Sequence, residues 1–152
     1  MSHVAGDRPY SRAEYVSDAI VHASGIGAAL IGGPFLIALA VLWIGEAGVV
    51  AAVAVYVATG LAMWSASAGY NLLQRPAWVE RLRRMDQSAI YLKIAGTYTP
   101  FAALAAGQAG FLAGIWTVAG IGAALILVSN QLKWLAIPLY LGLGWAGAFW
   151  GG

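Results

Sequence analysis

From Gly48 to Gln74 the chain carries no charged residue. A helix needs about 20 mostly apolar residues to cross the hydrocarbon core of a bilayer, and this run exceeds that length. In lipid every backbone polar group must be satisfied within the segment, so such a run folds as a helix and not as an open strand. Four more apolar segments accompany it. The spans expected are Ala19–Ile44, Gly48–Leu73, Gln87–Ala106, Phe111–Val128 and Lys133–Trp150, preceded by a polar tail over residues 1–18. The expected fold is therefore all-α, a polytopic transmembrane helix bundle in a single domain over residues 19–152.

Composition agrees. Hydrophobic residues make up 61% of the 152 residues and charged residues 9%, against about 25% charged in a typical soluble domain. So little charge cannot cover a water-facing surface. The first apolar stretch is too long for the 7–15-residue core of a secretory signal and reads as a retained span. With no cysteine, disulfides and thiolate metal sites are excluded. A formal charge of +2 gives no basis for nucleic-acid binding, and the partners expected are membrane lipids.

Basic residues orient the bundle. Arg8 and Arg12 lie in the tail, Arg75, Arg81, Arg83 and Arg84 between spans two and three, and Lys133 at the start of span five. These regions share one side, which the positive-inside rule makes cytoplasmic. Five spans then place the C-terminus outside. Lys93 is the exception, and its stem is expected to snorkel toward the cytoplasmic face. Gly110 and Gly114 in span four, and Gly142, Ala146 and Trp150 in span five, are spaced for packing within the chain. A bend is expected at Gly32-Gly33-Pro34.

Ionisable and polar residues within membrane segments are the natural functional candidates. Asp18 and His22 are four apart, as are Ser67 and Asn71, so each pair shares a helix face. Asp86 begins span three, and Thr97, Tyr98, Thr99 and Pro100 lie deeper in it. Antiparallel packing brings the inner ends of spans one to three to one depth, which makes a polar pocket there. The structural alternatives stand beside this. Asp86 is also placed to be the N-cap of span three, His22 to be a hydrogen-bonded packing residue, and Thr97 and Thr99 to bond back to helix carbonyls near Pro100. Asp86→Ala is expected to impair folding or any activity more than Glu80→Ala.

The stretch Ser67-Ala-Gly-Tyr-Asn71, the Arg-rich loop, and the run from Arg84 to Phe101 ending in Gly96-Thr97-Tyr98-Thr99-Pro100 together resemble the hemolysin III family, which belongs with the adiponectin and progestin receptors. Arg12-Ala-Glu14 followed by Asp18 and His22 is similar to that family's first span. The resemblance implies seven helices, of which five are present here, so the chain reads as truncated after the fifth; a true five-helix protein is the alternative. It also implies a zinc site near the cytoplasmic face of complete members. Ser67 and Asp86 match the family's Ser and Asp, the Asp acting beside the metal in hydrolysis of a lipid amide such as a ceramide. Asn71 stands where a zinc-binding His is expected and Gln87 where relatives carry His. Helix seven, with its paired His, is missing, so no zinc is expected to be held by this chain alone. Three functions follow from the resemblance: a cytolytic or channel-type membrane protein, a ceramidase-like zinc hydrolase inactive in this chain, or a non-catalytic lipid-binding component.

Overall fold

A computed structural model describes residues 11–73, 76–105, 107–128 and 133–150. Side chains of residues 133–136 and 149–150 lie outside that description. The described residues form five α-helices: α1 Arg12–Trp43, α2 Ala47–Leu72, α3 Val79–Leu104, α4 Ala109–Val128 and α5 Lys133–Trp150.

Two helices begin earlier than the apolar pattern indicates. At α1, Ser11 and Glu14 form a capping box: the Glu14 N–H donates to Ser11 Oγ at 3.2 Å and the Ser11 N–H donates to Glu14 Oε2 at 2.7 Å. This satisfies two free N–H groups of the first turn, so the helix starts seven residues before Ala19. It continues unbroken through Gly32-Gly33-Pro34. Its 32 residues give about 48 Å, well over the ~30 Å hydrocarbon core, so the charged first turns project beyond the apolar span.

At α3 the helix begins eight residues before Gln87. Glu80 holds Arg83 at 2.6 Å and Arg84 at 3.2 Å, the i,i+3 and i,i+4 neighbours on its own face. The residue flanking the first turn is Trp78, which makes no side-chain cap. Asp86 is thus in the second turn, and the N-cap role expected for it does not hold. α1 ends where Gly45 adopts φ +70° and its N–H reaches the Ala40 carbonyl at 3.0 Å, a left-handed conformation natural to glycine.

α3 is the central helix, packing against α2, α4 and α5, while α1 packs against α2. α1, α2 and α4 are each long and apolar enough to cross a membrane. α3 is less apolar: its first two turns are charged, and its remainder carries Lys93 with Gln87, Thr97, Thr99 and Pro100 among its apolar residues. Within α5, the residues whose side chains are described, Ile137–Ala148, form an apolar run. Polar side chains of α3 are satisfied inward: Ser88 donates to the Ala123 carbonyl at 3.2 Å, and Thr99 donates to the Ala95 carbonyl at 2.8 Å while accepting from the Trp116 indole at 3.1 Å. Membrane helices use such bonds to associate where no hydrophobic gradient separates them.

The core lies between α3, α4 and α5. Tyr91, Ala95, Ile115, Ala119, Ala123, Ile126 and Leu143 are buried together. Tyr91 is fully buried and sits edge-on to Tyr140. The close approaches are made by Gly122 on the Tyr91 ring, Gly147 on Tyr98, Gly96 on Thr59, Gly33 on Val57 and Gly25 on the Trp64 ring. The expectation for Gly110, Gly114 and Gly142 does not hold, because a Cβ at any of them meets nothing within 4 Å. They line an open apolar groove between α4 and α5. Trp150's side chain is outside the described residues.

Candidate functional site

Near the Leu72 end of α2, one buried imidazole joins two helices. His22, 6% exposed, points from α1 toward α2. Its Nδ1 lies 2.6 Å from the Asp18 carbonyl, one turn back on α1. A carbonyl only accepts, so Nδ1 is the donor in this bond, and Nε2 is the nitrogen left to face α2. Ser67 Oγ lies 3.1 Å from Nε2. Asn71 Nδ2 approaches the same nitrogen at 3.4 Å while donating to the Ser67 carbonyl at 2.9 Å. The Trp64 ring stands edge-on to the imidazole, with centroids 6.1 Å apart, and screens it on one side.

The two i,i+4 pairs read from the sequence therefore meet, but through different atoms than a shared face alone implies. His22 uses the backbone of Asp18, not its carboxylate. Ser67 and Asn71 converge on His22, which the sequence left between packing and pocket roles. Asp18 itself is half-buried.

Asp86 is half-buried on α3 and is not hydrogen-bonded to His22, Ser67 or Asn71. The antiparallel register puts it near their depth: Leu82 packs on Gly69, and Asp86 is one turn further along. Thr97 lies elsewhere. It is eleven residues beyond Asp86, about 16 Å at 1.5 Å per residue, and bonds back to the Lys93 carbonyl at 2.8 Å. Thr99 bonds back to Ala95 in the same way. Both are the kink-type bonds expected around Pro100.

Lys93 departs from expectation. Its ammonium does not reach for the Leu72 end of α2. It sits 3.4 Å from the centroid of the Tyr56 ring and 3.5 Å from the Tyr56 carbonyl, toward the opposite half of α2. The sequence missed this contact and the Trp64–His22 pair, since both depend on the α2 register. A lone lysine in an otherwise apolar stretch was the signal available for the first.

Outside the apolar spans, the Arg83 guanidinium hydrogen-bonded to Glu80 holds that carboxyl below its usual range, and Arg84 adds to the effect. Arg84 also donates to the Leu127 carbonyl at 3.1 Å. A cation there complements the C-terminal dipole of α4 and ties the start of α3 to its neighbour.

The fold and its spans define an integral membrane protein of the helix-bundle class. Residues 11–150 match the family described as "Haemolysin-III related". The chain is 35% identical over 140 residues to Hemolysin-3 of Bacillus cereus, an alignment that covers 87% of this chain. It spans 62% of that relative's length. No solved structure matches it. The chain belongs to the haemolysin III family.

Proposed function

We propose that this chain is a non-catalytic, lipid-contacting membrane component in which the His22–Ser67–Asn71 cluster accepts the polar part of a lipid at the cytoplasmic side of a bacterial plasma membrane. The observation that carries this reading is how the imidazole is engaged. Nδ1 meets the Asp18 carbonyl and Nε2 meets Ser67 and Asn71, so both ring nitrogens are taken up by the protein's own polar groups.

The zinc site that the family resemblance implies does not fit the donor set gathered here. Protein zinc is held by imidazole, thiolate and carboxylate groups, at least three of them. Here one imidazole stands beside a hydroxyl and an amide, and an amide oxygen is a weak zinc donor beside imidazole. Among the described residues, no three His, Cys, Asp or Glu side chains gather to hold a metal. No hydrolytic step is therefore assigned to Asp86 or Ser67. What remains is a hydrogen-bonding site: Ser67 and Asn71 can exchange their bonds to His22 for bonds to an ester, amide or hydroxyl group.

Orientation is part of the same proposal. It rests on the seven of eight basic residues that fall on one side of the membrane.

The test is metal content and lipid retention together. Protein purified in mild detergent is expected to contain less than about one zinc per ten chains, and native mass spectrometry is expected to show a retained lipid that His22→Phe loses. Stoichiometric zinc that Asp86→Ala removes would overturn the reading.

A second reading is membrane lysis. It is favoured by the name of the Bacillus relative and by the uncovered glycine face of α4 and α5, which offers a surface for self-association. Dye release from liposomes measures it. Release that scales steeply with protein concentration, and that Gly114→Leu abolishes, supports lysis over passive lipid binding.

A further inference from the structure

A groove of about 310 Å³ runs between α1 and α2 and ends on α3. One wall is Ala28, Ala29 and Gly32 of α1; the other is Tyr56, Val57 and Gly60 of α2. Ala28 and Leu36 at its rim are exposed, so the groove opens sideways to lipid. Lys93 is the one charged side chain lining it. The ammonium lies over the Tyr56 ring and has no acidic partner among the described residues. This site is separate from the His22 cluster and uses none of its three members.

Depth restricts what can meet that charge. Lys93 faces Gly60, twelve residues from Leu72, so its Cα level is about 18 Å from the inner end of α2. The ammonium reaches toward Tyr56, which is still about 14 Å from the Ala47 end of α2, so it lies within the core measured from either face. A phospholipid phosphate stays outside a hydrocarbon core whose half-thickness is about 15 Å, and does not reach this level. A carboxyl group at the end of a single acyl chain does, because it crosses hydrocarbon in its neutral form. A lone cation in a membrane interior is costly, and pairing it with an anion offsets much of that cost. The groove volume also falls at the lower end of the range for small-ligand sites, which suits one chain rather than two.

We infer that the α1–α2–α3 groove binds a single-chain lipid carboxylate, a free fatty acid, with its carboxylate paired to Lys93 and its chain along the small residues of α1.

Radiolabelled oleate binding to the full-length chain in nanodiscs tests this. Wild-type protein is expected to bind oleate saturably, about one per chain. Methyl oleate, identical in chain but uncharged, is expected not to compete. Lys93→Met is expected to weaken binding about tenfold or more, and Lys93→Arg to retain it. Gly32→Leu keeps the lysine and fills the groove at a position where a Cβ meets no atom within 4 Å. It is expected to abolish binding, and it decides the matter if Lys93→Met fails to fold. Equal competition by methyl oleate, unchanged binding in Gly32→Leu, or displacement of oleate by phosphatidylglycerol at equal concentration would each overturn the proposal, the last by pointing to a phosphate headgroup.

Discussion

At the scale of single residues, His22 has the most to lose. It is buried, and both ring nitrogens are engaged across two helices. His22→Phe keeps the volume and the edge contact with Trp64 but removes the ring nitrogen that Ser67 meets across the two helices. Leaving buried polar groups unpaired costs about 1–3 kcal/mol, and thermal unfolding in detergent micelles is expected to show a loss of that size. A result within error of wild type would mean that water replaces the ring. The glycines give a paired control. At Gly122 a methyl group would overlap the fully buried Tyr91 ring, whereas at Gly114 it enters open space. Gly122→Ala is expected to cost about 1–3 kcal/mol by overpacking, and Gly114→Ala less than about 0.5 kcal/mol. The sequence showed that Ser67 and Asn71 share a face, because that follows from helical spacing. It did not show that His22 closes on them, since the bond depends on how α1 slides against α2. Small-residue spacing likewise picked out Gly110, Gly114 and Gly142, while the tight contacts fall on Gly122 and Gly147. Only the partner helix decides which glycine faces it.

At the scale of elements, the apolar runs located all five helices but not where two of them start. Hydropathy reports where lipid is, whereas a helix also runs wherever caps and ion pairs support it. The capping box at Ser11 and the Glu80 pairs carry α1 and α3 out past the apolar boundary. Sequence alone ranked Asp86→Ala as more damaging than Glu80→Ala to folding or any activity, because it gave Asp86 a special role; the contacts of Glu80 argue for the other order in stability. With Glu80 holding two arginines, Glu80→Ala is expected to loosen residues 79–84, while Asp86→Ala leaves stability unchanged. Acidification should act in the same place. Because the folded-state pKa of Glu80 is lowered, its contribution is present above the unfolded value near 4.5 and is lost as pH falls through the folded value. Hydrogen exchange of residues 79–84, corrected for the intrinsic pH effect, is expected to speed up below about pH 4.5 in wild type and to be insensitive to that step in Glu80→Gln. Equal acid sensitivity in both would assign the effect to another carboxylate.

At the scale of the whole molecule, one question about the bundle has a direct answer in the chain's own composition. Membrane insertion is legible because uncharged runs of this length are tolerated in hydrocarbon and not in water. Sidedness depends on the weaker statistical bias of arginine and lysine. In the proposed orientation the α2–α3 joint faces the cytoplasm and the α3–α4 joint faces outward. The natural chain has no cysteine, so single cysteines report cleanly. Ala77, exposed just before α3, and Gln108, just before α4, belong to neither the His22 cluster nor the Lys93 groove and make no side-chain bond among the described residues that a cysteine would break. In intact cells a membrane-impermeant maleimide is expected to label Gln108→Cys and to spare Ala77→Cys, and permeabilisation is expected to expose the latter. The opposite pattern would put the Arg81–Arg84 cluster outside the cell, and with it the His22 cluster. The lipid site would then face the outer leaflet, and the placement of Lys93 against Tyr56 would lie nearer the cytoplasmic half.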